Sequence, residues 1–184
     1  GTHTFAATGT KASIDNSEWT KTDVVYSTYA KSAWSESVTS GLEAGKLSDK
    51  IESLRMELRN QKVSGSIEYS SYVQGTGWLD WTESGNDSGT PGSGKRVEAY
   101  KIRLTGELAK QYDVYYRAYA QSTGWLDWAE NGEAAGTSGY AKELYRIQVI
   151  LVRRGSAAPG NTTQPYKSKD KQISYATHVQ SYGW

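Results

Sequence analysis

Cysteine is absent from the 184 residues. No disulfide framework can brace the chain, and a structural zinc cluster has no thiolate to draw on. Histidine is nearly absent as well: His3 and His178 are the only two, so neither a metal nor another cofactor is expected. Phenylalanine occurs once, as Phe5, and proline three times. No run approaches the roughly 18 apolar residues of a helical membrane span. A charged-then-apolar leader is also missing, so any secretion signal is expected to lie outside this sequence. Neither sign of charge dominates, since 21 basic and 20 acidic residues leave a net charge of +1. That balance calls for neither nucleic acid nor an anionic membrane as partner. Lack of cysteine fits a reduced cytosolic protein and a disulfide-free secreted one equally well.

What the sequence does have is tyrosine and tryptophan, 14 and 7 of them. Both side chains join an apolar ring to a polar tip, so they suit half-wet surfaces and ligand faces as well as cores. Thr, Val and Gly accompany them, the composition of strands and turns.

The chain repeats itself. TGWLDW stands at 76–81 and again at 123–128. Upstream of each lies a similar strand, Tyr69–Gln74 and Tyr116–Gln121, and downstream a turn, GTPG at 89–92 and GTSG at 136–139. A second strand follows, and Glu98–Leu104 aligns by eye with Glu143–Val149. Two weaker copies flank the pair. Tyr26–Lys31 leads to Trp34 and then to Glu52–Leu58, while Tyr175–Gln180 leads to Gly183-Trp184. The first 20 residues match none of these units. Residues 21–152 are therefore read as three tandem units (about 24–60, 63–106 and 112–152), 153–171 as a linker rich in Gly and Pro, and 172–184 as a partial fourth unit.

Each unit alternates as strands do. Ile67, Tyr69, Ser71 and Val73 share one face, and Glu68, Ser70, Tyr72 and Gln74 the other. Residues 49–60 would pass for a helix on composition alone, but their alignment with 95–104 makes them a strand. Two strands and a Gly-rich loop cannot bury a face unaided, so the units must pack on one another. The expected fold is all-β, a pseudo-threefold β-prism or β-trefoil-like body, with an open or propeller-like array as the competitor.

The ordered pattern Tyr72-Val73-Gln74, Gly77-Trp78, Trp81, Gly89-Thr90, Glu98-Ala99, Ile102 and Leu104, with His178-Val179-Gln180 and Gly183-Trp184 later, resembles the clostridial hydrophobic repeats with an internal Trp. The resemblance spans most of 24–152 and 172–184. It implies a secreted or cell-wall-associated bacterial protein with no catalytic activity in the repeat itself. Its partner would be a glycan or cell-surface polymer, with another surface protein as the alternative. Unit one departs from the pattern, with Lys31, Ala33 and Ser37 where the others have Gln, Gly and the second Trp.

Trp34, Trp78, Trp125 and Trp184 occur in every copy and read as core anchors, with sugar stacking as the rival role. The second Trp, Trp81 and Trp128, is missing from unit one, so the scaffold tolerates its loss. An exposed indole beside a carboxylate suits a sugar, which makes Trp81, Trp128, Asp80 and Asp127 candidate ligand contacts. Asp80 and Asp127 also suit turn roles. Gln74 and Gln121, beside the rings of Tyr72 and Tyr119, complete the candidate set, although cross-strand bonding explains them too. Glu52, Glu98 and Glu143 fall in phase with inward-facing residues and should bond backbone or a Tyr hydroxyl of a neighbouring unit. A glycosidase pair is disfavoured because these carboxylates recur once per unit, whereas a catalytic pair is one asymmetric site. No enzyme is expected.

Overall fold

The computed structural model describes residues 21–169. The opening segment 1–20 and the partial unit 172–184, with His178, Gln180 and Trp184, lie outside the described residues.

Three units of five strands follow one another. The first comprises β1 (Asp23–Ala30), β2 (Ala33–Trp34), β3 (Val38–Thr39), β4 (Glu43–Gly45) and β5 (Ser53–Arg59). The second comprises β6 (Ile67–Val73), β7 (Gly77–Trp78), β8 (Thr82–Glu83), β9 (Asp87–Gly89) and β10 (Val97–Leu104). The third comprises β11 (Tyr112–Ala120), β12 (Gly124–Trp125), β13 (Ala129–Glu130), β14 (Ala135–Ser138) and β15 (Leu144–Arg153), and β16 (Tyr166–Ser168) comes last. A short helix, Gly106–Gln111, links the second unit to the third and buries Leu108.

In each unit the two long strands pair antiparallel, as β1 with β5, β6 with β10 and β11 with β15. The apolar member of each alternating pair faces inward: Ile67, Tyr69 and Val73 are fully buried, while Glu68 and Tyr72 are half-buried on the outer face. Residues 53–59 are strand, as the alignment requires and their composition alone does not.

The units trade strands in a circle. β9 of unit two pairs with β5 of unit one, and β14 of unit three pairs with β10 of unit two. β4 of unit one then pairs with β15 of unit three and closes the ring. Three antiparallel sheets result, none closed into a barrel, around one continuous core. The pseudo-threefold expectation holds, and an open array does not form, because β4 has reached the last long strand.

Each crossing places a backbone against a backbone. At Gly45, Gly89 and Gly136 the chain runs at φ +96°, +137° and +120°, and a Cβ there would lie 2.2–2.6 Å from the carbonyl oxygen of Tyr145, Glu52 or Glu98. These contacts identify Glu52, Glu98 and Tyr145 as threefold equivalents. The alignment of Glu98 with Glu143 is therefore two residues off. The reason lies in the sequence: Glu143-x-Tyr145-x-Ile147 imitates Glu98-x-Tyr100-x-Ile102 two residues early. Both ladders bulge at the equivalent residue, Glu98 in unit two and Tyr145 in unit three, and Glu98–Leu104 corresponds to Tyr145–Leu151.

Tyrosine, not tryptophan, anchors the core. Tyr26, Tyr69 and Tyr116 are each at most 1% exposed. Each hydroxyl reaches the second long strand of the preceding unit around the ring. The Tyr69 hydroxyl bonds the carbonyl of Met56 and accepts its N–H, both at 3.1 Å. The Tyr116 hydroxyl bonds the carbonyl of Ile102 at 3.1 Å and accepts the Gly132 N–H at 3.2 Å. The Tyr26 hydroxyl accepts the Val149 N–H at 3.1 Å. Tyr116→Phe keeps the ring but removes the donor that the Ile102 and Glu133 carbonyls share, while the Gly132 N–H keeps its bond to Ile102. A loss of about 1–3 kcal/mol is expected in urea unfolding, with little change in the m-value.

Residues 153–169, the described part of the expected linker, pack back on the body. Arg154 and Gly155 bond back to Gln111 and to the carboxylate of Asp113. Tyr166–Ser168 then joins the second sheet as a parallel neighbour of β14.

Candidate binding groove

The TGWLDW segment lies on the outer face, and turn length decides its glycine. In unit one the β1–β2 turn has two residues, Lys31 and Ser32, at φ 48° and 65°, between the paired Ala30 and Ala33. Units two and three place three residues between the paired Val73 and Gly77 and between Ala120 and Gly124. The closing residue then sits at φ +86° or +84°, where glycine is unstrained. Ala33 is thus what a shorter turn permits, not a loss of the pattern.

The first tryptophan of each unit is half-buried on this outer face, outside the core that was expected to hold it. It packs edge-on against the tyrosine opposite it in the ladder: Trp34 on Tyr29, Trp78 on Tyr72 and Trp125 on Tyr119, with ring centroids 5.4–5.5 Å apart. A cation covers each indole. Arg55 lies 4.1 Å from the Trp34 ring, Lys101 4.5 Å from Trp78 and Arg117 4.4 Å from Trp125. The cation comes from one cross-strand position, filled by Ser27 and Arg55, Ser70 and Lys101, or Arg117 and Gln148. In unit three it has changed strand, so no alignment of units reveals it. Such contacts contribute roughly 0.5–2 kcal/mol each.

The second tryptophan extends this ladder. In unit two Lys101 also lies 4.8 Å from the Trp81 ring, and Arg103 lies 4.1 Å from it while pairing with Glu68 at 2.6 Å. Burial, and then the like charge of Arg103, hold the Lys101 ammonium below the usual lysine range. Trp81 is half-buried and Asp80 is exposed. In unit three Arg117 serves both rings, 4.7 Å from Trp128. Trp128 is only 5% exposed, because residues 159–164 lie across it. The Trp128 N–H donates to the Asn161 carbonyl at 2.9 Å, and the Asp127 N–H to the Gln164 carbonyl at 3.3 Å. The Gln164 N–H donates in turn to the Asp127 carboxylate at 2.8 Å.

The structure therefore brings Tyr72, Trp78, Asp80 and Trp81 into one groove, and Tyr119, Trp125, Asp127 and Trp128 into its counterpart. Gln74 and Gln121 are engaged elsewhere. Their main-chain N–H groups bond the carbonyls of Arg96 and Glu143, and their side-chain oxygens face the N–H groups of the same two residues at 3.4 Å. The glutamates divide as well. The Glu52 carboxylate accepts the Gly92 N–H of the next unit at 2.7 Å, while Glu98 pairs with Arg96 at 2.8 Å. Glu143 stands where Arg96 stands in unit two. Sequence reasoning missed Lys101, Arg103 and Arg117, although the outward alternation of β10 already placed the first two on the ring-bearing face.

Residues 72–106 and 119–152 match the family model described as clostridial hydrophobic W. The chain carries two clostridial hydrophobic W repeats in tandem. Each matched segment runs from a Tyr of the first long strand to the second long strand, so it takes in both tryptophans and the aspartate of its unit. Unit one lies outside both segments and shares their five-strand scaffold without the second tryptophan. Comparisons with curated proteins and with solved structures gave no match.

Proposed function

We propose that this chain is a non-catalytic, extracellular binding module of a bacterial surface, and that it holds another protein at the groove of unit two. One observation supports this reading above the rest. The Asp80 and Trp81 main-chain N–H groups have no hydrogen-bond partner among the described residues, whereas their equivalents Asp127 and Trp128 donate to a polypeptide segment. Two adjacent free main-chain donors suit the carbonyls of a bent polypeptide segment, as their equivalents in unit three do. The rings bear on the same choice, since cations already occupy indole faces that a sugar would need. A carbohydrate is the second reading, favoured by the exposed Asp80 beside the half-exposed Trp81. The catalytic alternative has little support, because Glu52 and Glu98 are buried and engaged in structural bonds.

Trp81→Ala is expected to reduce retention on intact Gram-positive cells at least about tenfold, as loss of a central aromatic anchor does. Thermal unfolding should shift by only a few degrees, since unit one folds with serine at this position. Trypsin treatment of the cells should abolish retention if the partner is a protein. Periodate oxidation of their glycans should do so if it is a carbohydrate. Wild-type retention equal to that of Trp81→Ala overturns the reading.

A further inference from the structure

Units two and three offer the same groove in two states. In unit three a bent segment runs past Trp128, turned by the Asn161 side chain, which accepts from the Thr163 hydroxyl at 2.8 Å. Its Gly160 is so close that a Cβ there would stand 2.9 Å from the indole Nε1. Asn161 and Gln164 then meet the Trp128 and Asp127 N–H groups, and the Asp127 carboxylate grips the Gln164 N–H. Apart from the indole and that carboxylate, every contact uses main-chain atoms. The bound segment is uncharged from Pro159 to Gln164. Unit two repeats the receiving side with Trp81, Asp80 and the two unmet N–H groups; Tyr166 packs against the Trp78 ring at 6.5 Å, but among the described residues none meets those N–H groups.

From this equivalence we infer that the groove of unit two takes an uncharged, turn-forming peptide of the Pro-Gly-Asn-Thr-Thr-Gln kind, supplied by another chain. The inference rests on the protein-binding reading above and adds what the groove recognises. Glycine must pass the indole, because a side chain would collide with it. The residue next to it accepts the Trp81 N–H. A residue three further on accepts from Asp80 and donates to its carboxylate. Proline before the glycine fixes its own φ and lowers the entropy lost on docking. The protein's own linker does not compete for unit two. It is tethered to unit three, where its effective concentration is of millimolar order.

The test titrates a synthetic peptide of residues 157–166 into the isotope-labelled protein and follows the Asp80 and Trp81 amides and the Trp81 indole N–H by NMR. Saturable shifts at these three signals are expected, with Asp127 and Trp128 unmoved. Affinity should fall at least about tenfold with Trp81→Ala, with Asp80→Ala, or with valine in place of Gly160 in the peptide. Shifts confined to Asp127 and Trp128 would mean that the peptide only displaces the tethered linker, and they overturn the inference. So does a flat titration to millimolar peptide. If the peptide is inert while Trp81→Ala still abolishes trypsin-sensitive cell retention, the groove binds protein by other chemistry, and only the inference fails. If cell retention is also independent of Trp81, both fail.

Discussion

Gly45→Ala is expected to remove most of the stability of the fold, a loss of about 4–5 kcal/mol or more against the 5–15 kcal/mol typical of a domain. The new Cβ would stand 2.2 Å from the carbonyl oxygen of Tyr145. That oxygen belongs to the bulge of β15, whose neighbours Leu144 and Arg146 are both paired with β11, so it has little room to swing aside. The backbone at φ +96° adds a second cost, since an L-residue is strained there by about 1–3 kcal/mol. Relief requires β4 to leave β15, and with β4 goes the closure of the ring and the burial of Ala44. Gly41→Ala is the control. Its φ is also positive, at +86°, but nothing lies within 4 Å of the added carbon, so it should cost only about 1–2 kcal/mol. Urea titration of the two variants separates collision from backbone strain. Equal midpoints would mean that the close approach at β4 is not what holds the ring.

Alkaline pH is expected to unfold the protein abruptly. Burial raises the phenol pKa of Tyr26, Tyr69, Tyr100 and Tyr116 above the ordinary value near 10. The folded state therefore keeps protons that the unfolded chain gives up at about pH 10. The stabilisation from neutral phenols is complete below that pH. It falls above it, by about 1.4 kcal/mol per pH unit for each phenol and roughly 5 for the four together. Near-UV circular dichroism should hold steady to about pH 10 and then collapse within roughly 1–2 units. Tyrosinate absorbance at 295 nm should rise in the same step. Tyr100→Phe should make the slope shallower by about a quarter. Ionisation of all fourteen tyrosines in a protein that stays folded would contradict the assignment of these four rings to the core.

Alternation made the strands legible. Ile67, Tyr69, Ser71 and Val73 point inward as their spacing requires, and the recurrence of TGWLDW gave the unit and its copy number. What stayed hidden depends on three-dimensional adjacency. Glu143-x-Tyr145-x-Ile147 repeats the spacing of Glu98-x-Tyr100-x-Ile102 two residues early, so Glu143 was matched to Glu98 where Tyr145 belongs. The tryptophans looked like anchors because they recur, yet Tyr26, Tyr69 and Tyr116 recur as regularly. Only the tyrosines have both the inward face and a hydroxyl that reaches the neighbouring unit. The cation over each first indole can come from either strand of a ladder pair, so Arg117 does duty for Lys101 with no shared position in sequence. Asn161 and Gln164 reach Trp128 and Asp127 through main-chain atoms, which no residue type announces. That is why a Gly- and Pro-rich stretch read as a spacer turned out to occupy one of two equivalent grooves.

The pairing of Glu43 with Gln148 also sets a timetable for synthesis. A ribosome adds about 5–20 residues each second, so β4 waits roughly 5–20 seconds before its partner exists. Through that interval the growing chain presents a strand edge with unmet N–H and C=O groups, the kind of edge that recruits other strands. Crowded nascent copies are thus exposed to exchange of β4 between chains, and the third unit is what ends that exposure.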